Sequence, residues 1–132
     1  MTMARSTWII PGIALFAAFT ASAHHSVPAY FDVSKTVTVT GTLKDFKFQN
    51  PHSIMTLYVK GADGQQVEWK AEASLAAWLL RNGWKPDMFK AGMQITVNGN
   101  PARDETVKMI RLFTVTLPDG RTLNANNGLK AY

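Results

Sequence analysis

The chain has 132 residues, no cysteine, 46% hydrophobic residues and a formal net charge of +5. Without cysteine there is no disulfide, no thiolate metal ligand and no cysteine nucleophile. The length gives one compact domain with a core, not two. The basic residues are scattered with no run among them, which argues against a nucleic-acid footprint.

The first 23 residues have the layout of a secretory leader. Arg5 supplies the one charge, an apolar run follows from Trp8 to Phe19, and Ala21-Ser22-Ala23 is a small-x-small cleavage site. Pro11-Gly12 and the short run argue against a spanning helix, which needs about 20 apolar residues. Cleavage after Ala23 leaves 109 of the 132 residues and puts His24 at the mature N-terminus. The expected location is the periplasm or outside the cell, with no membrane span retained. The expected division is a signal peptide over 1–23, one domain over 24–123 and a polar tail over 124–132.

After the leader, Pro28 excludes a helix interior, and Tyr30-Phe31 can pack the lead-in onto the domain. From Lys35 to Phe48, Val37, Val39, Gly41 and Leu43 alternate with threonines, the period-two pattern of a strand. The apolar parity then slips to Phe46 and Phe48, so a bulge is expected near Lys44-Asp45, and Gly41 permits a bend. Asn50-Pro51 is turn chemistry. Met55, Leu57 and Val59 mark a second strand, Gly61 to Gly64 a hairpin loop, and Val67, Trp69 and Ala71 the inward face of a third, with Glu68, Lys70 and Glu72 outward.

Ser74 is the expected N-cap of a helix that puts Leu75, Trp78 and Leu79 on one face and stops at Gly83. Pro86 to Gly92 connects it to a fourth strand on Met93, Ile95 and Val97, which Asn98-Gly99-Asn100-Pro101 is expected to interrupt. A fifth strand over Val107 to Leu117 has its own parity slip, from Ile110 and Leu112 to Phe113, Val115 and Leu117. Pro118-Asp119-Gly120 turns into a short strand near Thr122-Leu123. Three strands, one short helix between the third and fourth, then two or three more strands predict a mainly β, OB-like barrel of five to six strands. A different small barrel, or a sandwich with one helix, is the rival.

Several words of the sequence carry a family resemblance: the HHS start at His24, His25 and Ser26, the NPH turn at Asn50, Pro51 and His52, Trp69 with Glu72 at a strand end, and GW at Gly83 and Trp84. From His24 to about Leu123 the chain resembles the bacterial exported domain-of-unknown-function family 6152. Glu105, after Arg103-Asp104, departs from that pattern, which often has glycine there. The resemblance implies an exported single domain and supplies no activity.

The chemistry that stands out is histidine. The chain holds three, His24, His25 and His52. An N-terminal His24 offers an amine and an imidazole to one ion. The amine's reference pKa is about 8, so a metal displaces its proton readily near neutral pH. A further imidazole completes a T-shaped nitrogen set that suits Cu(II), an arrangement that resembles the histidine brace of copper proteins such as lytic polysaccharide monooxygenases. His52 is the expected third ligand, His25 the neighbour or alternate, and Glu72 a candidate second-shell or axial group. Met55, Met88, Met93 and Met109 are candidate soft ligands, with Met55 and Met93 at core parity. Trp69, Trp78 and Trp84 read as packing residues rather than a sugar platform.

No nucleophile elbow, phosphate loop, paired-histidine zinc helix or dinucleotide fingerprint occurs, so the pattern favours binding over catalysis. The expected cofactor is copper, and the expected partner a metal ion or small ligand. The alternative is a metal-free exported module that binds a glycan, a peptide or another periplasmic protein. Nucleic acid is not an expected partner of either.

Overall fold

The computed structural model describes residues 26–126. The elements in chain order are α1 (Val27–Tyr30), β1 (Val37–Lys47), β2 (Ile54–Lys60), β3 (Gln66–Glu72), α2 (Ala76–Arg81), a 3-10 turn (Pro86–Met88), β4 (Gln94–Pro101), β5 (Met109–Thr116) and β6 (Thr122–Asn124). The strands follow the order β3-β2-β1-β4-β5-β6, and a parallel β3–β5 pairing closes the first five into a barrel. This is the OB-like topology, with α2 between β3 and β4 as expected from the sequence. Among the described residues, no helix is long and apolar enough to cross a membrane.

Strand β1 is the hub because it pairs with both β2 and β4. Its alternation turns Val39 and Leu43 inward, while Thr38 and Thr40 bond Asn98 and Thr96 across the ladder on the outer face. The expected bulge is there: Leu43 faces Leu57 and Asp45 faces Thr56, so Lys44 is the extra residue. The slip restores the register that puts Phe46 opposite the fully buried Met55. Gly41 allows close strand approach, since a Cβ there would lie 2.7 Å from the Tyr58 carbonyl oxygen.

The parity slip in the fifth strand is a second bulge. Asn98 faces Thr114 and Gly99 faces Leu112, which leaves Phe113 as the extra residue. Phe113 therefore does not join the inward set with Val115 and Leu117; it is half-buried, with the Arg111 guanidinium 5.9 Å from its ring.

Two expectations change. Asn98 to Pro101 does not interrupt the fourth strand; β4 runs through it. The turn-forming residues are used for close contact instead. A Cβ on Gly99 would lie 1.9 Å from the Arg111 carbonyl oxygen, and the Asn100 amide donates to the Lys35 carbonyl at 2.6 Å. Ser74 is not the N-cap of α2, because the helix begins one residue later, at Ala76; Leu75 holds the cap position and makes no side-chain cap bond, while the Ser74 N–H donates to the Ala125 carbonyl. Pro28 stays out of any helix interior, as expected: it sits in the first turn of the one-turn helix α1, where its missing N–H costs nothing.

The polar tail drawn from Asn124 also begins later. Asn124 ends β6, and Ala125 is fully buried, with its N–H donating to the Phe113 carbonyl. Residues 127–132, like the expected leader over 1–23, lie outside the described residues.

The core runs through the barrel from Leu57, Ile95 and Val97 to an aromatic plug beneath α2. Trp84 is fully buried there, stacked on Phe89 at 5.0 Å, with Phe46 packed against both. Its indole N–H donates to the Asn124 carbonyl at 2.7 Å, which satisfies the one polar atom of a buried side chain.

Candidate functional site

The site is built from the loop between β1 and β2. Ser53 is fully buried; its hydroxyl donates to the Gln49 carbonyl and accepts the Gln49 N–H. Its backbone N–H donates to the Ser74 carbonyl, and its carbonyl accepts from Ala73. The Asn50–Pro51 bond is cis. The Asn50 side-chain oxygen accepts the Ala76 N–H at 3.0 Å and so caps α2 from a distant loop. These bonds hold the backbone on both sides of His52, whose ring is 56% exposed.

Register brings the carboxylate to the histidine. Ile54 pairs with Glu72, so the end of β3 lies beside the residue two before Ile54. His52 Nδ1 lies 3.5 Å from Glu72 Oε1, and Glu72 is only 24% exposed. Across the barrel closure, Glu72 faces Arg111 in the parallel β3–β5 register. The outward parity expected for Glu72 thus leads into a cleft rather than open solvent.

The cleft has a volume of about 210 Å³. Pro51, His52 and Glu72 form one side, and Ala73, Ser74, Leu75 and Trp78 continue it along the start of α2. Arg111 and Leu112 of β5 also line it. Val27 and Asn126 complete the lining, so both ends of the described chain arrive at this one place. Arg111, Trp78 and Val27 were not singled out for this site in the sequence. The available hint was Arg111, a charge inside the apolar run Met109 to Phe113.

The lead-in reaches the cleft by a route other than back along β1. Phe31 is buried and bridges Ala102; Asp32 N–H donates to Pro101, and Arg103 N–H donates to Tyr30. The Arg103 guanidinium also donates to the Pro28 carbonyl at 2.6 Å. The segment therefore crosses the β4–β5 connection and delivers Val27 to the wall that His52 shares.

Of the sequence-derived site residues, the structure brings His52 and Glu72 together. His24 and His25 lie outside the described residues. Among the described residues, no group of three or more histidine, cysteine or acidic side chains is arranged to hold a metal ion. The methionines line other places. Met55 is fully buried in the core, Met93 accepts the Lys90 N–H, Met109 lies 3.8 Å from the Tyr30 hydroxyl, and Met88 packs on the core. Trp84 is core and Trp69 packs against it, whereas Trp78 is shared between core and cleft.

No curated protein matches this sequence. A family model does match, over residues 13–110, a span that holds the HHS, NPH and GW words and ends before the Val115–Leu123 segment. With well over half of its length matched, the chain belongs to the Family of unknown function (DUF6152).

Proposed function

We propose that the chain is an exported metal-binding module that holds copper between the mature N-terminal His24 and His52. The reading requires that the leader is cut after Ala23. His24 then gives its amine and its ring, His52 gives the third nitrogen, and His25 stands next to the ion as an alternate ligand. Three nitrogens in this arrangement suit Cu(II). The module carries or senses copper rather than catalysing a reaction, in the periplasm or outside the cell.

The observation that carries this reading is the arrival of Val27 at the cleft that His52 lines. Three residues separate Val27 from His24, and three residues of chain span about 10 Å. Val27 and His52 line the same cleft, of about 210 Å³. The half-exposed imidazole of His52 is open to an incoming ion, and its loop is held by the Ser53 and Asn50 hydrogen bonds.

The test is a copper titration of protein from the exported fraction, its N-terminus established by intact mass. One-to-one binding is expected, weakened at least about tenfold by a single added N-terminal alanine and by His52→Ala, since each removes a ligand. Binding indifferent to both changes would overturn the proposal and leave the cleft as a metal-free site for a small ligand, glycan or peptide.

A further inference from the structure

The cleft holds one carboxylate next to one imidazole, and the pairing has a direction. Glu72 Oε1 approaches the Nδ1 side of His52, at 3.5 Å. Glu72 is itself anchored at the end of β3, where it pairs with Ile54 of β2 on one side and Arg111 of β5 on the other. Its backbone is therefore held from both sides, and its side chain is three-quarters covered, while the His52 ring is more than half exposed. The fixed partner is the carboxylate and the adjustable one is the imidazole.

A neutral imidazole carries one N–H and one lone pair. An ionised carboxylate only accepts, so the nitrogen that faces it is the one that keeps the proton. Free histidine favours the other arrangement, with the proton on Nε2. From this geometry we infer that Glu72 is a positioning residue. It fixes the proton of neutral His52 on Nδ1 and orients the ring, so that His52 presents its lone pair through Nε2. The inference rests on the copper reading for its purpose, but not for its geometry. The 3.5 Å approach is one that a small turn of the exposed ring closes to a hydrogen bond; carboxylates hydrogen-bonded to a ligand histidine set both tautomer and ring orientation, and their loss typically costs 10–100-fold in metal affinity.

The two statements separate in one experiment. Nitrogen NMR of the metal-free protein, at a pH about two units above the usual imidazole value of about 6.5, reads the tautomer of His52 directly. His52→Ala assigns its signals. Nδ1–H is expected in the wild type. Glu72→Gln keeps an acceptor oxygen and retains that tautomer, whereas Glu72→Ala reverts to Nε2–H. Copper titration of the same proteins is expected to show a loss of about 10–100-fold for Glu72→Ala and a smaller one for Glu72→Gln. Circular dichroism confirms that the variants are folded.

Nε2–H in the wild type would overturn the inference, as would Nδ1–H that survives in Glu72→Ala. Should copper fail to bind while the tautomer follows Glu72, the positioning role stands and the copper reading falls. Should copper bind with His52 while the tautomer ignores Glu72, the reverse holds.

Discussion

The aromatic plug and the histidine cleft share their building parts but treat them in opposite ways. Helix α2 sends Leu79 into the core, where it is fully buried, and shows Trp78 to the cleft. The β1–β2 loop begins at Phe48, which packs against the plug, and four residues later exposes His52. In the plug, Trp84, Phe89 and Phe46 stack with the one indole N–H satisfied by a backbone carbonyl. In the cleft, His52, Glu72 and Arg111 line the same open space. The plug excludes water and holds the fold. The cleft instead sets His52, Glu72 and Arg111 among apolar side chains at the closure of the barrel.

The largest expected effect comes from breaking the plug. Trp84→Ala removes a fully buried side chain from between Phe89 and Phe46 and leaves the Asn124 carbonyl without its donor. A loss of about 3–5 kcal/mol in unfolding free energy is expected, read from urea denaturation. His52→Ala in the same assay is expected to stay within about 0.5 kcal/mol, as a half-exposed surface change does. A large stability loss from His52→Ala would erase the distinction between the two regions.

Asn50 joins the two regions, and its substitution sharpens the contrast. Its side chain caps α2 at Ala76 from the loop that carries His52. Asn50→Ala is expected to cost about 1 kcal/mol in urea denaturation, with the Gln49 carbonyl, 3.2 Å from the same N–H, limiting the loss. Stability unchanged by Asn50→Ala would mean that the Gln49 carbonyl alone suffices.

The difference between the regions also explains what the sequence could tell. Local alternation and its interruptions are written in neighbouring residues. The threonine ladder of β1 and the bulge at Lys44 were therefore legible, and so was the second parity slip, although its extra residue, Phe113, was placed on the wrong side. The path of β4 through Asn98 to Pro101 was not legible. The need for Gly99 comes from Arg111, and that for Asn100 from Lys35, partners far away in the chain. The same holds for the cap of α2: Ser74 fits the local pattern, but the helix starts one residue later and the capping oxygen comes from Asn50. In the cleft, the residue types His52 and Glu72 were visible, but their meeting depends on the β2–β3 register. Arg111 and Trp78 join them only through barrel closure and the placement of α2.

The smallest expected effect lies on the outer face, far from both regions in chemistry. Lys44, the bulged residue of β1, donates to Glu68 at 2.7 Å and sits 5.2 Å from the centre of the Tyr58 ring. The hydrogen bond to Glu68, then the one to Tyr58, pushes the Lys44 ammonium up to about 12. The hydrogen bond from Lys44 holds the Glu68 carboxyl below its ordinary 4.5. The signs follow from linkage. Glu68 contributes fully above its ordinary value, and the contribution fades as pH falls through its lowered folded value. Lys44 contributes fully below its ordinary 10.5 and loses it as pH rises through about 12. Between those limits the pair is flat with pH. Both groups are well exposed, 41% for each side chain, so water and salt screen the attraction. Glu68→Gln is therefore expected to leave the urea midpoint unchanged at neutral pH and about 0.15 M salt. A difference should emerge only at low ionic strength, and should vanish again in acid where Glu68 is protonated. A midpoint shift at neutral pH as large as that of Asn50→Ala would show that the bulge at Lys44 needs its ion pair. In that case the alternation of β1 and its glycine would not be enough to hold the strand that both regions depend on.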